Sequence, residues 1–166
     1  MHVLLTRPLE DSIELIKRFK DKGFTVSHLP LIKINKLNYP KLNSSEYKII
    51  IFTSSNAIRN LDTKDFDKNI LCFCVGDATE KTAKQKGFHN TFSAGGNVRN
   101  LRELILQNLE KKTEKILYIS GELVSYDLEK EIIKEGLNVQ RLISYNVSHI
   151  DDLSSDFLSK KKKKIP

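Results

Sequence analysis

Three segments of this chain end a helical pattern in the same way: Lys22-Gly23-Phe24, Lys86-Gly87-Phe88 and Glu135-Gly136-Leu137. In each, a charged residue meets a glycine and then an apolar residue that opens a new run. Helices often stop in a left-handed residue, a conformation that costs little only for glycine. Ahead of these endings stand short aliphatic strands, polar turns and apolar stripes at helical spacing. Val3-Leu4-Leu5 passes through Thr6-Arg7-Pro8 to Leu9, Ile13, Ile16 and Phe19. Tyr47 to Phe52 exits into Thr53-Ser54-Ser55-Asn56 and a short helix from Ala57 to Leu61. Ile70 to Val75 turns at Gly76-Asp77-Ala78-Thr79 into a helix that stops at Gly87. After Ser93 to Asn97, Val98, Leu101, Leu104, Ile105 and Leu109 form one stripe. A strand from Lys115 to Ile119, the turn Ser120-Gly121-Glu122, a helix marked by Leu128 and Ile132, and a strand from Leu137 to Tyr145 complete the series. Parallel neighbours need crossover connections, so the repetition predicts an α/β fold: a parallel sheet with flanking helices.

Two stretches break the pattern. Lys33 to Ser45 and Ser144 to Ser155 are polar and non-periodic, and both read as linkers. They bracket residues 46–144, which implies a complete five-stranded α/β domain, assigned residues 35–146 with its flanking linker arms. The first strand–helix–strand, residues 1–34, stands outside it as a partial α/β domain continued by 147–166. One helix cannot cover both faces of a parallel pair, so this fragment needs further partners.

Composition narrows the classes. At 166 residues and 39% hydrophobic, the chain can bury a sizeable core, which argues against intrinsic disorder. The longest apolar runs, such as Ile49-Ile50-Ile51-Phe52, are far short of the roughly 20 residues of a membrane span. Met1 to Pro8 has no long apolar segment of a secretory signal, so the expected location is cytoplasmic, with no membrane partner. The formal charge of +7 suggests a polyanionic partner. Five of those charges are the consecutive Lys160 to Lys164, which leaves +2 for the rest. A lysine run without a base-reading element gives no specific nucleic-acid recognition, and with no Trp there is no stacking platform. Cys72 and Cys74 lie two apart on a strand and read as core thiols in a reducing compartment.

Ligands of open α/β sheets bind beyond the carboxyl ends of the strands. There the sequence places Thr6-Arg7-Pro8, Thr53 to Asn56, Gly76 to Thr79, Ser93 to Asn97, Ser120 to Glu122 and Tyr145. Hydroxyls, glycines and free N–H groups at helix starts suit carboxylate or phosphate oxygens. Ser54, Ser55, Asn56 and Asp77 are equally ordinary helix caps, Thr79 could simply be a helix residue, and a Tyr ending a strand often packs an interface. Gly76 and Gly95-Gly96 fit neither a dinucleotide fingerprint nor a P-loop, and no G-x-S-x-G occurs. The scattered His2, His28, His89 and His149 have no metal-ligand spacing. A cleft without metal or cofactor, binding an oxygen-rich anion, remains.

The order of the pieces resembles uroporphyrinogen-III synthase. The likeness rests on Leu4-Leu5-Thr6-Arg7-Pro8, Gly23-Phe24, His28 to Ile32, Ile51 to Ile58, Val75 to Thr79, Leu117 to Gly121 and Leu142 to Val147. It implies two flavodoxin-like domains joined by a two-stranded linker, the second inserted into the first. It implies a reaction as well: hydroxymethylbilane loses its hydroxyl as water, and its last ring is inverted through a spiro intermediate during closure to uroporphyrinogen III. No cofactor takes part. By motif, Tyr145 stands where a tyrosine assists hydroxyl departure, and Thr53, Ser54 and Thr79 match hydroxyl-bearing cleft positions. Arg7, Ser55, Asn56, Gly76 and Gly121 join them as substrate-binding candidates, Ser55 and Asn56 at positions that vary in the family. The full-length form is expected to be a monomer.

The end of the chain departs from this pattern. Leu153 to Leu158 resembles a helix start and is followed by the five lysines, Ile165 and Pro166. Adenine-rich tracts encode such runs and slip, so the expectation is a truncated member with one complete domain, half of a second, and impaired turnover. The open edge beside Val3 to Leu5 would then invite aggregation or swapping between copies. Two other readings are a non-catalytic α/β module for a small anion or protein partner, and salt-sensitive nucleic-acid binding through the lysine tail.

Overall fold

The computed structural model describes residues 1–109 and 114–150. They belong to two compact units, Lys36–Asn146 and a second comprising Met1–Asn35 with the segment from Val147.

In the larger unit, β4 (Ile49–Phe52), β5 (Leu71–Cys74), β6 (Thr91–Ser93), β7 (Lys115–Gly121) and β8 (Asn138–His149) are mutually parallel, in the order β8-β7-β4-β5-β6. The central strand β4 reads Ile-Ile-Ile-Phe and every residue is buried, as a parallel strand covered on both faces requires. Strand alternation sorts the core into two layers. Ile50, Phe52, Cys72, Cys74, Leu117 and Ile119 face one way, onto Ala57 and Ile58 of α2 (Ser55–Arg59) and Ala83 of α3 (Asp77–Gln85). Ile49, Ile51, Phe73, Ile116 and Tyr118 face the other way, onto Leu101 and Ile105 of α4 (Val98–Asn108) and Leu128 and Ile132 of α5 (Leu128–Lys134). Full burial of one such aliphatic side chain contributes about 1.5–3 kcal/mol.

The three glycine endings form one motif. Gly23, Gly87 and Gly136 have φ of 79°, 90° and 80°. In each, the glycine N–H donates three residues back: to Lys20 O at 2.9 Å, Lys84 O at 2.9 Å and Ile133 O at 2.9 Å. The next residue donates five back: Phe24 to Phe19, Phe88 to Ala83 and Leu137 to Ile132. This is the Schellman pattern, and it satisfies carbonyls the helix end would leave open. Its accompanying apolar contact is seen at the first ending, where the Phe19 and Phe24 rings meet edge-on at 5.7 Å.

The polar stretch from Lys33 is not simply a linker, because β3 (Ile32–Lys36) occupies its start and pairs with β8. The pairing is antiparallel: Leu37 N donates to Ser144 O at 3.0 Å and Ile150 N to Leu31 O at 3.0 Å. Backbone bonds and the Asn35–Ser148 side-chain bond at 3.0 Å sustain these strands, so the apolar signal a sequence reader seeks is weak. Farther along, Tyr39 and Leu42 pack against the α2–α3 layer of the core. The second stretch, read as a linker from Ser144, is strand as far as His149. The expected helix start at Leu153 and the lysine run lie outside the described residues.

In the smaller unit, β1 (His2–Leu5) pairs in parallel with β2 (Thr25–His28), joined by α1 (Leu9–Asp21). The one buried residue of α1 is Ser12, whose hydroxyl donates to Arg7 O at 3.2 Å. Leu9 and Ile13, on the apolar stripe, are 51% and 58% exposed.

Candidate active site

The connections from β4 and from β7 diverge. After β4 the chain works outward through α2, β5 and α3 to β6, and then α4 carries it back to β7 on the other side of β4. Where neighbouring connections part in this way, a crevice opens at the carboxyl ends of the strands. A cavity of about 280 Å³ lies there, entirely within the larger unit. Thr53 and Ser54 enter it from the end of β4, and Val75 from the end of β5. Gly96 and Val98 line it from the start of α4, Tyr118 and Gly121 from β7, and Leu123 to Tyr126 from the following turn. Tyr145 of β8 completes it.

Each of these groups is held by a local cause. Ser54 caps α2, its hydroxyl accepting from Asn56 N at 3.1 Å. The Thr53 and Tyr118 hydroxyls are 3.4 Å apart. Burial pushes the Tyr118 hydroxyl above its ordinary value, partly offset by Thr53 and the Arg141 charge, so it stays a neutral donor at neutral pH. The wall at Gly96 depends on Gly76, where an added Cβ would meet Gly96 Cα at 2.8 Å. Gly96 N donates to Val75 O at 2.6 Å, and Ser93 donates to Asp77 Oδ1 at 2.6 Å, locking the loop to the start of α3.

Tyr145 owes its place to a bulge. Ser120 pairs with Ile143 but Gly121 with Tyr145, so Ser144 is an extra residue on β8. Such an insertion re-aims the side chain that follows it. Leu142 and Ser144 both point into the α2–α3 layer, Ser144 donating to Ala57 O at 3.3 Å. Tyr145 packs against that same layer although it is the next residue. Its ring lies on Gly121, and Glu122 N donates to Tyr145 O at 3.0 Å.

Of the residues singled out from sequence, the cavity gathers Thr53, Ser54, Gly121 and Tyr145. Tyr145 sits within the long strand β8 rather than at a strand end. Ser120 and Gly121 likewise belong to β7, and the turn begins at Glu122. Gly76 stands behind the wall it makes room for. Thr79 is buried in the first turn of α3 and does not line the cavity. Ser55 donates to Ala78 O at 3.2 Å and lies 3.1 Å from the Thr82 hydroxyl, joining α2 to α3. Asn56 Oδ1 accepts from Arg59 at 2.8 Å. Arg7 belongs to the smaller unit, where its carbonyl accepts from His28 at 2.9 Å.

Tyr118, Tyr126 and Arg141 escaped the sequence reading. The available signal was a Tyr inside the aliphatic run Ile116 to Ile119, and an arginine in a strand that is otherwise half-buried. Cys72 and Cys74 are free and buried and do not line the cavity, and burial pushes the Cys74 thiol up to about 12. Among the described residues no His/Cys/Asp/Glu group is arranged to hold a metal ion, and no helix is long and apolar enough to cross a membrane.

The cavity therefore presents hydroxyls from Thr53, Ser54, Ser125 and three tyrosines between apolar walls, and none of its lining side chains is charged. It can orient a ligand by hydrogen bonds, with neutral O–H groups as proton donors. The fold that carries this cavity resembles that of known proteins. The chain matches uroporphyrinogen-III synthase from Helicobacter pylori 26695 with a TM-score of 0.61 and 20% identity, over 99% of this chain and 68% of that one. A mutant uroporphyrinogen III synthase from the extremely thermophilic bacterium Thermus thermophilus matches with a TM-score of 0.56 and 14% identity, over 90% of this chain and 64% of that one. At such identities the likeness is one of fold, and this chain spans about two thirds of the length of those proteins. A search of curated proteins finds no match. The profile of uroporphyrinogen-III synthase HemD matches residues 13–165. With nearly its whole length so matched, the chain belongs to the uroporphyrinogen-III synthase family, the cyclising lyases of haem biosynthesis.

Proposed function

We propose that this protein closes hydroxymethylbilane to uroporphyrinogen III, holding the reacting end of the chain in the cavity between β4 and β7. The observation that carries the reading is the lining itself: many neutral hydroxyls and no charged side chain. Loss of the substrate hydroxyl leaves a cationic azafulvene, which a fixed positive charge nearby would disfavour. Neutral donors can bind the substrate's carboxylates and hydroxyl without that penalty. At about 280 Å³ the cavity is smaller than the roughly 300–1,000 Å³ of sites for drug-sized ligands, so it takes part of a four-ring substrate.

Tyr145 is the proposed proton donor to the departing hydroxyl, and Thr53, Ser54 and the Gly121 backbone position the ring beside it. Thr79, Ser55, Asn56 and Gly76 shape the walls from behind, and Arg7, in the smaller unit, is a separate substrate-binding candidate. The main catalytic effect is to hold one folded conformation of a reactive chain, for which well-oriented intramolecular reactions give large effective concentrations. We further propose that residues 35–146 form the complete domain, that the full-length form is a monomer, and that it works in the cytoplasm. The test is to incubate the chain with hydroxymethylbilane and separate the products. Type III isomer above the spontaneous type I background supports the reading, and type I alone refutes it.

A further inference from the structure

We propose that Arg141 is a positioning residue of the cavity, holding the turn after β7 so that its carbonyls face away from a carboxylate-bearing ligand; the ligand class rests on the function proposed above. The guanidinium reaches over the end of β7. Its Nε donates to Ser120 Oγ at 2.8 Å, and Nη2 donates to Gly121 O at 2.8 Å and Glu122 O at 3.0 Å. The same group lies over the Tyr118 ring, 5.9 Å from its centre. Gly121 and Tyr118 both line the cavity, and Leu123 to Tyr126 follow directly from the clamped carbonyls.

This arrangement answers a chemical problem. A turn at the carboxyl end of a strand exposes carbonyl oxygens, which repel carboxylates. A planar guanidinium can take up two such oxygens at once, and charge-assisted hydrogen bonds are among the stronger ones. Arg141 is not itself a lining residue. Its charge is therefore spent on backbone behind the wall, while the cavity keeps neutral donors. It acts on substrate only through Gly121, Glu122 and Tyr118.

The experiment compares the full chain with R141A and R141K by amide hydrogen exchange and by cyclisation of hydroxymethylbilane. In R141A the Glu122 amide, which donates to Tyr145 O, is expected to exchange about tenfold faster or more, while the α3 amides keep their rates. KM is expected to rise about tenfold with kcat changed less than about threefold, the pattern of lost binding that ground and transition states share. R141K, lacking the planar fork, recovers only part of either effect. Unchanged Glu122 exchange in R141A overturns the inference, and so does a fall in kcat at constant KM. Failure of the unmodified chain to form type III product counts against the proposed function alone, and the exchange result then decides for or against Arg141.

Discussion

A Cβ on Gly121 would stand 2.7 Å from Cζ of Tyr145 and 2.9 Å from its hydroxyl oxygen. The tyrosine ring therefore rests on bare backbone, and the proposed proton donor is placed by the absence of another side chain. Gly121→Ala must push the ring aside. The cost is that of overpacking, about 1–3 kcal/mol, and the displaced hydroxyl should lower kcat at least about tenfold. Because both changes act through one group, G121A with Y145F should be hardly slower than the worse single variant. Steady-state kinetics on the three variants check this.

Tyr145→Phe alone separates packing from chemistry. The ring contact with Gly121 survives while the hydroxyl is lost. The melting temperature should stay within a few degrees, whereas kcat falls by about 10²-fold, the lower end of what a positioned general acid contributes. Calorimetry and product analysis on one preparation distinguish the two effects.

Gly87→Ala tests the repeated helix ending. With φ at 90°, an alanine must hold a left-handed conformation that costs about 1–2 kcal/mol. Denaturant titration should show that loss with little change in slope. Lys86→Ala, one residue earlier and outside the left-handed region, should cost much less.

The core thiols give the protein an alkaline weakness. Burial pushes the Cys74 thiol up to about 12 and Cys72 higher still, against about 8.5 for a thiol in the unfolded chain. Above that unfolded value the native state holds protons that the unfolded state releases, so stability falls as pH rises. The contribution is fully present below about pH 8.5. For Cys74 it continues to be lost until about pH 12. Denaturation curves between pH 7 and 11 should show the decline, and C72A/C74A should reduce its slope while lowering stability at neutral pH. At pH 8, both thiols should react with a thiol reagent only on unfolding.

The strand–helix alternation and its glycine stops were legible because burial writes them into the chain. β4 must be apolar on both faces, and Gly23, Gly87 and Gly136 must accept positive φ. β3 and the far end of β8 were illegible for the converse reason. Backbone bonds hold them, and side chains such as Asn35 and Ser148 do not advertise a strand. The site divides along the same line. Thr53 and Ser54 follow directly from strand ends, so spacing finds them. Tyr145 was reached as a strand-end residue and took its role only from likeness to a family, and its orientation depends on a bulge at Ser144 that no local pattern reveals. Arg141 reads as one exposed charge among many until Gly121 O and Glu122 O are seen beneath it.

The neutral lining of the cavity also bears on ionic strength. Attraction between separated charges is screened over about 8–10 Å in ordinary buffers, but a hydrogen bond made at contact is not. A cavity that grips through Thr53, Ser54 and its tyrosines should bind almost equally in dilute buffer and in half-molar potassium chloride. A substrate with many carboxylates would then be recognised by where its oxygens fall rather than by how much charge it carries.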